Sequence, residues 1–324
     1  MKHKIDPGEG VSHPPYRLKQ GTAIPPVGLV LDTLRRLPYC QSAEKELFVT
    51  HRAFCLASTE EESSKGFGCM ESRLYLDISY QPDSTTCGPT CLHAVYRYFN
   101  DPIPLHQVIS EAKQLEGGGT LAVYLGSHAL ARGYKATLYT YNLRIFDPTW
   151  FLPGNQQVAD KLKRQREYKR GVAGLEVVTD AYLEFLDLGG RIGFEVLTTS
   201  LLRRYLNKSL PLLTALSATY LYNSAREQSV GDGLVYDDVR GESTGHFVVV
   251  AGYDRKERTV LVADPLKPNP VAQTQYYQVS IYRLICAIML GVLTYDGDLL
   301  IIEPQRSRKP QVASSCYHRI KEKR

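Results

Sequence analysis

The sequence predicts an α+β fold, and three observations carry that reading. Apolar residues recur at helical spacing after Pro89, at Leu92, Val95, Tyr96 and Phe99, and two more helical stretches follow at residues 104–115 and 121–132. Farther on, Phe247 to Tyr253 and Thr259 to Ala263 are apolar runs of strand length flanking the polar turn Asp254-Arg255-Lys256-Glu257-Arg258, the pattern of a β-hairpin. Pro211 to Leu216 reads as a further buried strand.

In chain order, residues 1–28 carry too many prolines and glycines for regular structure, and they are expected to lie extended. A short helix over Leu29 to Leu37, stopped by Pro38, and a weakly patterned segment from Glu44 to Leu56 precede an exposed loop at residues 60–66. Leu74 to Ile78 alternates like a short strand. Pro is well tolerated only in a first helical turn, so the helix containing Pro89 starts at about residues 86–89 and stops at Asn100-Asp101-Pro102. Gly117-Gly118-Gly119 reads as a flexible turn with Thr120 as N-cap of the next helix; without the G-K-[ST] ending of a P-loop it is a weak phosphate signal.

Tyr134 to Tyr141 alternates as a strand, residues 160–170 form a highly charged helix, and Thr199 to Leu206 form another. Tyr222 to Thr244 is a long polar loop, of the kind that is functional or mobile. Val271 to Val279, Ile288 to Leu293 and Leu299 to Ile302 supply further strand or buried material, and the fold ends near Pro304. Three regions are expected: an N-terminal extension over 1–74, a folded domain over 75–304 and a basic tail over 305–324.

At 324 residues, 43% apolar and 23% charged, the chain has ordinary globular composition and enough length for a sizeable core. No run of 18 apolar residues suggests a membrane span, and no apolar stretch follows the N-terminal charges as in a signal peptide. The seven cysteines are an odd number with no C-x-x-C pair and no zinc-site spacing. That pattern suits a reducing cytoplasm. Residues 305–324 hold seven Lys or Arg against one acid, which accounts for the net charge of +5 and leaves the body near neutral. A solvated basic end is expected there, and no nucleic-acid partner.

The helix start places Cys87 against unsatisfied amides and the positive end of the helix dipole, which favour thiolate and make Cys87 a candidate nucleophile. With the hairpin turn near residue 256, antiparallel pairing brings residue 246 opposite about 264–267. His246 and Asp264 are therefore expected as neighbours at one hairpin end, with Asp254 at the other. His93 points away along the Cys87 helix, and His106 and His128 lack a carboxylate placed by comparable geometry. Cys91, one turn after Cys87, is read as a core residue, with a C-x-x-x-C redox pair as the alternative.

Gln81, Cys87-Gly88-Pro89-Thr90, Gly245-His246-Phe247-Val248-Val249-Val250 and Ala263-Asp264-Pro265 together resemble papain-like cysteine peptidases. They are most similar to the branch that includes the bacteriocin-leader-processing peptidases, which cut after double glycines, and its stand-alone relatives. The resemblance spans residues 75–304 in order and spacing and is dense only at these motifs. It implies a papain-like fold, in which a helical part carrying the nucleophile packs on an antiparallel sheet carrying His and Asp. It further implies Cys87 as nucleophile, His246 as base, Asp264 as the residue that orients the base, and Gln81 as an oxyanion-hole donor, with no metal or organic cofactor.

Membrane and ATPase domains of the transporter-linked relatives have no counterpart in this sequence, so double-glycine specificity is not carried over. The expected activity is hydrolysis of a peptide or isopeptide bond through a Cys87 acyl-enzyme, on a peptide or protein substrate. Acyl transfer by the same residues, as in enzymes resembling phytochelatin synthases, and a non-catalytic peptide-binding module are the alternatives. A partner protein docking on residues 1–74 is a further possibility.

Overall fold

The computed structural model describes residues 72–154, 157–230, 233–294 and 297–305. The expected extension, apart from residues 72–74, and the expected tail, apart from residue 305, lie outside the described residues.

One mixed sheet organises this region. Its strands are β1 (Ser72–Arg73), β2 (Lys135–Thr140), β3 (Arg191–Gly193), β4 (Leu212–Ser217), β7 (Gly245–Asp254), β8 (Thr259–Ala263), β9 (Tyr276–Ser280) and β10 (Asp298–Glu303). They run in the order β3-β2-β10-β4-β7-β8-β9, with β1 paired to β7, and every pairing except β2 with β3 is antiparallel. β4 lies between β10 and β7 and is buried along its whole length, which is why Leu212 to Leu216 carries a continuous apolar run interrupted only by Thr214. The hydroxyl of Thr214 is satisfied by the carbonyl of Asp298 at 2.8 Å. A separate two-stranded ribbon is formed by β5 (Glu227–Val230) and β6 (Gly233–Tyr236).

The helices are α1 (Cys87–Tyr98), α2 (Leu105–Glu111), α3 (Ala122–Ala131), α4 (Val158–Tyr168), α5 (Leu175–Asp187), α6 (Thr199–Leu206), α7 (Ala218–Tyr222) and α8 (Ile281–Gly291). The first turn of α1 sits directly on β7, and a glycine makes that approach possible. A Cβ at Gly88 would stand 2.5 Å from Cγ2 of Thr120 and 3.2 Å from Cδ2 of Phe247. The helical part thus packs on the sheet through the residue next to Cys87.

Several expectations change. Ile288 to Leu293 is not a strand: Ile281, Leu284, Ala287 and Ile288 are buried on one face of α8, a helical period that a search for short apolar runs overlooks. α5 was absent from the sequence reading, although Leu175, Thr179, Tyr182 and Phe185 follow helical spacing. Within Val271 to Val279 only the end from Tyr276 forms strand, and the loop expected over Tyr222 to Thr244 contains the β5–β6 hairpin. Leu74, Leu76 and Ile78 do alternate inward, but the strand itself covers only Ser72–Arg73. Thr120 caps nothing; its hydroxyl donates to the carbonyl of Lys113 at 2.6 Å, and the N-cap of α3 is Leu121.

Candidate active site

Cys87 opens α1, and its N-cap Thr86 supplies no side-chain cap, so the helix terminus keeps its orphan donors. Cys87 is buried and lines one cleft with His246, whose imidazole acts electrostatically on its thiol. His246 is the second residue of β7 and pairs with Leu216 of β4, which fixes its height in the sheet. Nε2 of His246 lies 2.9 Å from Oδ1 of Asp264. With Nε2 so engaged, Nδ1 is the ring nitrogen left for the thiol. The β7–β8 register pairs Val249 with Ala263, so Asp264 follows the last paired residue of β8 and reaches His246 at the same hairpin end.

Asp264 is fully buried. Oδ1 also accepts from the backbone N–H of Leu266 at 3.0 Å, while Oδ2 accepts from the hydroxyl of Tyr222 at 2.9 Å and of Tyr277 at 2.6 Å. Neither tyrosine is among the site residues expected from sequence. The one available cue for Tyr277 was its place on the strand expected next to the Asp264 hairpin; for Tyr222 there was none.

Electrostatics couples these groups. Burial alone would raise the Cys87 thiol, but the neighbouring His246 imidazolium holds it below the ordinary value. Burial alone would depress His246, but Asp264 and the Cys87 sulfur push it up to about 10. Burial would likewise raise Asp264, yet His246 and the Tyr277 hydroxyl hold the carboxyl below the usual range. This arrangement favours the thiolate of Cys87 and the imidazolium of His246 over their neutral forms.

Gln81 reaches the same corner through its backbone, whose N–H donates to the carbonyl of Pro265 at 2.9 Å. Its side-chain Nε2 donates to the carbonyl of Asp83 at 2.7 Å. Cys87 and His246 open onto a cleft of about 380 Å³, walled by Phe247, Thr294 and the Gly117–Gly119 loop. Gly118 and Gly119 have φ of 85° and 75°, a conformation that demands glycine.

The remaining candidates lie elsewhere. Asp254 turns its carboxylate onto the N–H groups of Lys256 and Glu257 in the hairpin turn. Cys91 is fully buried, donates its thiol to the carbonyl of Phe247 at 3.3 Å, and is pushed well up by burial, as a packing thiol is. His128, contrary to expectation, does have a carboxylate: Nε2 lies 3.1 Å from Oε2 of Glu111. Its Nδ1 is taken by the Tyr96 hydroxyl at 2.8 Å, and it lines a different cleft with Lys113 and Arg132. Among the described residues no group of three His, Cys, Asp or Glu side chains is arranged to hold a metal ion, and no helix is long and apolar enough to cross a membrane.

Residues 74–285 match the model of the Peptidase_C39 like family. No curated protein matches the chain. Among solved structures, a double glycine motif protease from an AMS/PCAT transporter, in complex with the leader peptide, is 15% identical with a TM-score of 0.34; the alignment covers 72% of this chain and 96% of that one. Xylellain, a cysteine protease from Xylella fastidiosa, is 14% identical with a TM-score of 0.34, covering 77% and 91% respectively.

Proposed function

Since the chain belongs to the Peptidase_C39 like family and is a cysteine-type peptidase of papain-like fold, we propose that it hydrolyses a peptide or isopeptide bond through an acyl-enzyme on Cys87. The catalytic part is assigned to residues 75–304, with 1–74 as an extension and 305–324 as a basic tail. The observation that carries the reading is that Cys87 and His246 line one cleft, with Asp264 2.9 Å behind the imidazole, the thiol lowered and the imidazole raised.

In this reading the Cys87 thiolate attacks the scissile carbonyl, and the carbonyl π electrons move to oxygen. His246, as imidazolium, gives its proton to the leaving amine as the C–N bond breaks. The neutral imidazole then takes a proton from water, which attacks the thioester; collapse expels the sulfur and restores the ion pair. Asp264 holds the ring in one orientation and offsets its charge. The backbone N–H of Cys87 at the helix terminus and the Gln81 amide are the oxyanion donors. An NH₂ group has two donors, so the Asp83 carbonyl can anchor one hydrogen of Gln81 and leave the other for the oxyanion. Each such donor contributes about 3 kcal/mol in the transition state.

The substrate is a peptide or protein segment able to lie across the cleft. The three free thiols among the described residues, Cys87, Cys91 and Cys286, support a reducing compartment such as the cytoplasm.

The test is labelling. A cysteine-directed probe at pH 7 should modify Cys87 stoichiometrically, mapped by mass spectrometry, and His246→Ala should abolish rapid modification. Equal labelling in both proteins, or labelling of Cys286 in preference, would overturn the reading.

A further inference from the structure

We propose that Tyr222 and Tyr277 are positioning residues for the reaction, whose hydroxyls hold Oδ2 of Asp264 so that an ionised Oδ1 stays aimed at His246. The inference rests on the reading of Cys87 and His246 as the reacting pair.

A buried carboxylate needs its lone pairs occupied, since no water replaces a missing donor there. Asp264 meets that demand with four donors divided by oxygen: His246 and the Leu266 N–H on Oδ1, and the two hydroxyls on Oδ2. The hydroxyls come from separate elements. Tyr222 ends α7, directly after the strand that pairs with His246, and Tyr277 stands on β9 opposite Val262. The Tyr222 ring also lies 6.0 Å from the His246 ring, so it borders both members of the ion pair. Two donors on one oxygen fix the carboxylate plane, and donors to an ionised acceptor favour its charge. A more firmly charged Asp264 raises His246, and a charged His246 lowers Cys87.

The titratable groups that face Asp264 or its partner His246 are Cys87 and Cys91 from α1, Tyr222 from α7 and Tyr277 from β9. Burial raises both tyrosines and Cys91, so these three stay protonated near neutral pH. Only Cys87 and His246 are left to define the pH limbs of activity.

The test is the pH dependence of Cys87 alkylation and of kcat/KM in Tyr277→Phe, Tyr222→Phe and the double variant, with thermal unfolding measured alongside. Tyr222 is half-buried, so its variant keeps the experiment decisive if Tyr277→Phe folds poorly. Loss of one hydroxyl should raise the acid limb and lower the basic limb by about half a unit each, and the double variant should narrow the profile further. A purely structural role would lower the unfolding midpoint and leave both limbs in place, and that result overturns the proposal. If wild-type Cys87 resists alkylation, the catalytic reading itself fails and takes this one with it. Reactive wild type with unmoved limbs removes only the tyrosine inference.

Discussion

Nε2 of His246 stands 2.9 Å from Oδ1 of Asp264, and this contact between two buried side chains joins the end of one strand to the residue just past the next. Strand pairing sets its geometry. The Val249–Ala263 register brings both residues to one edge of the sheet, and the backbone N–H of Asp264 is anchored to the carbonyl of Gln275 at 2.8 Å.

Asp264→Asn tests the charge apart from the shape. The asparagine can turn its NH₂ toward Tyr222 and Tyr277, whose hydroxyls can rotate to accept, while its oxygen keeps accepting from His246 and the Leu266 N–H. We expect kcat/KM to fall about 10- to 100-fold, the worth of one hydrogen bond to a charged group. The basic limb should move to lower pH, because the charge of Asp264 helps to hold His246 at about 10.

Cys87→Ala should abolish turnover and leave the fold intact, as circular dichroism will report. It should also change how stability depends on pH. His246, raised from 6.5 to about 10 in the folded state, contributes stability that is full below pH 6.5 and is lost as pH rises toward 10. Cys87, lowered from 9.0, contributes stability that is present above pH 9 and is lost as pH falls through its folded value. Between the folded Cys87 value and pH 9 the two slopes oppose, so there the pair flattens wild-type stability. In Cys87→Ala only the part of the His246 slope that Asp264 sustains remains, and urea midpoints at pH 6.5, 7.5 and 8.5 should decline relative to wild type.

Gly88→Ala should disturb the helix turn that carries Cys87. The added Cβ meets Thr120, Leu125 and Phe247 at 2.5, 3.1 and 3.2 Å, and the severest of these contacts makes the first turn of α1 lift away from Thr120. Overpacking of this kind costs about 1–3 kcal/mol. We expect activity to fall further than stability, because the lift separates Cys87 from His246; parallel denaturation and rate measurements will show the difference.

On the proposed role of Gln81 as an oxyanion donor, Gln81→Ala should lower kcat about 100-fold or more. Alkylation of Cys87 develops no oxyanion, so its rate should hardly change. Comparing the two rates on one preparation separates transition-state stabilisation from thiolate formation.

Cys91→Ala should cost about 1–2 kcal/mol from the small cavity it leaves, with the pH profile unmoved. Mild oxidation of the wild type followed by mass spectrometry should yield no Cys87–Cys91 disulfide, because Cys91 is directed at the Phe247 carbonyl.

How much of this was legible beforehand follows from range. Cys87 could be set at a helix start because Pro89 and the spacing of Leu92, Val95 and Phe99 are local signals. His246 and Asp264 could be paired because a hairpin with a short polar turn fixes its own register. Beyond that range the reading weakened: α8 passed for short apolar runs, and α5 went unseen beside a charged helix. The glutamate serving His128 sits on another helix and could not be found by spacing.

The amino-acid order alone therefore determined the α+β class, the helix that presents Cys87 and the hairpin that joins His246 to Asp264, since each depends on residues close in the chain. Tertiary structure alone decided that Tyr222 and Tyr277 share one carboxylate oxygen, that Gln81 is tied to Pro265, and that the glycine loop walls the cleft. Those contacts arise where α7, β9 and two distant loops meet over a common core. No sequence period encodes such a meeting, because it is set by how the packed layers fit together.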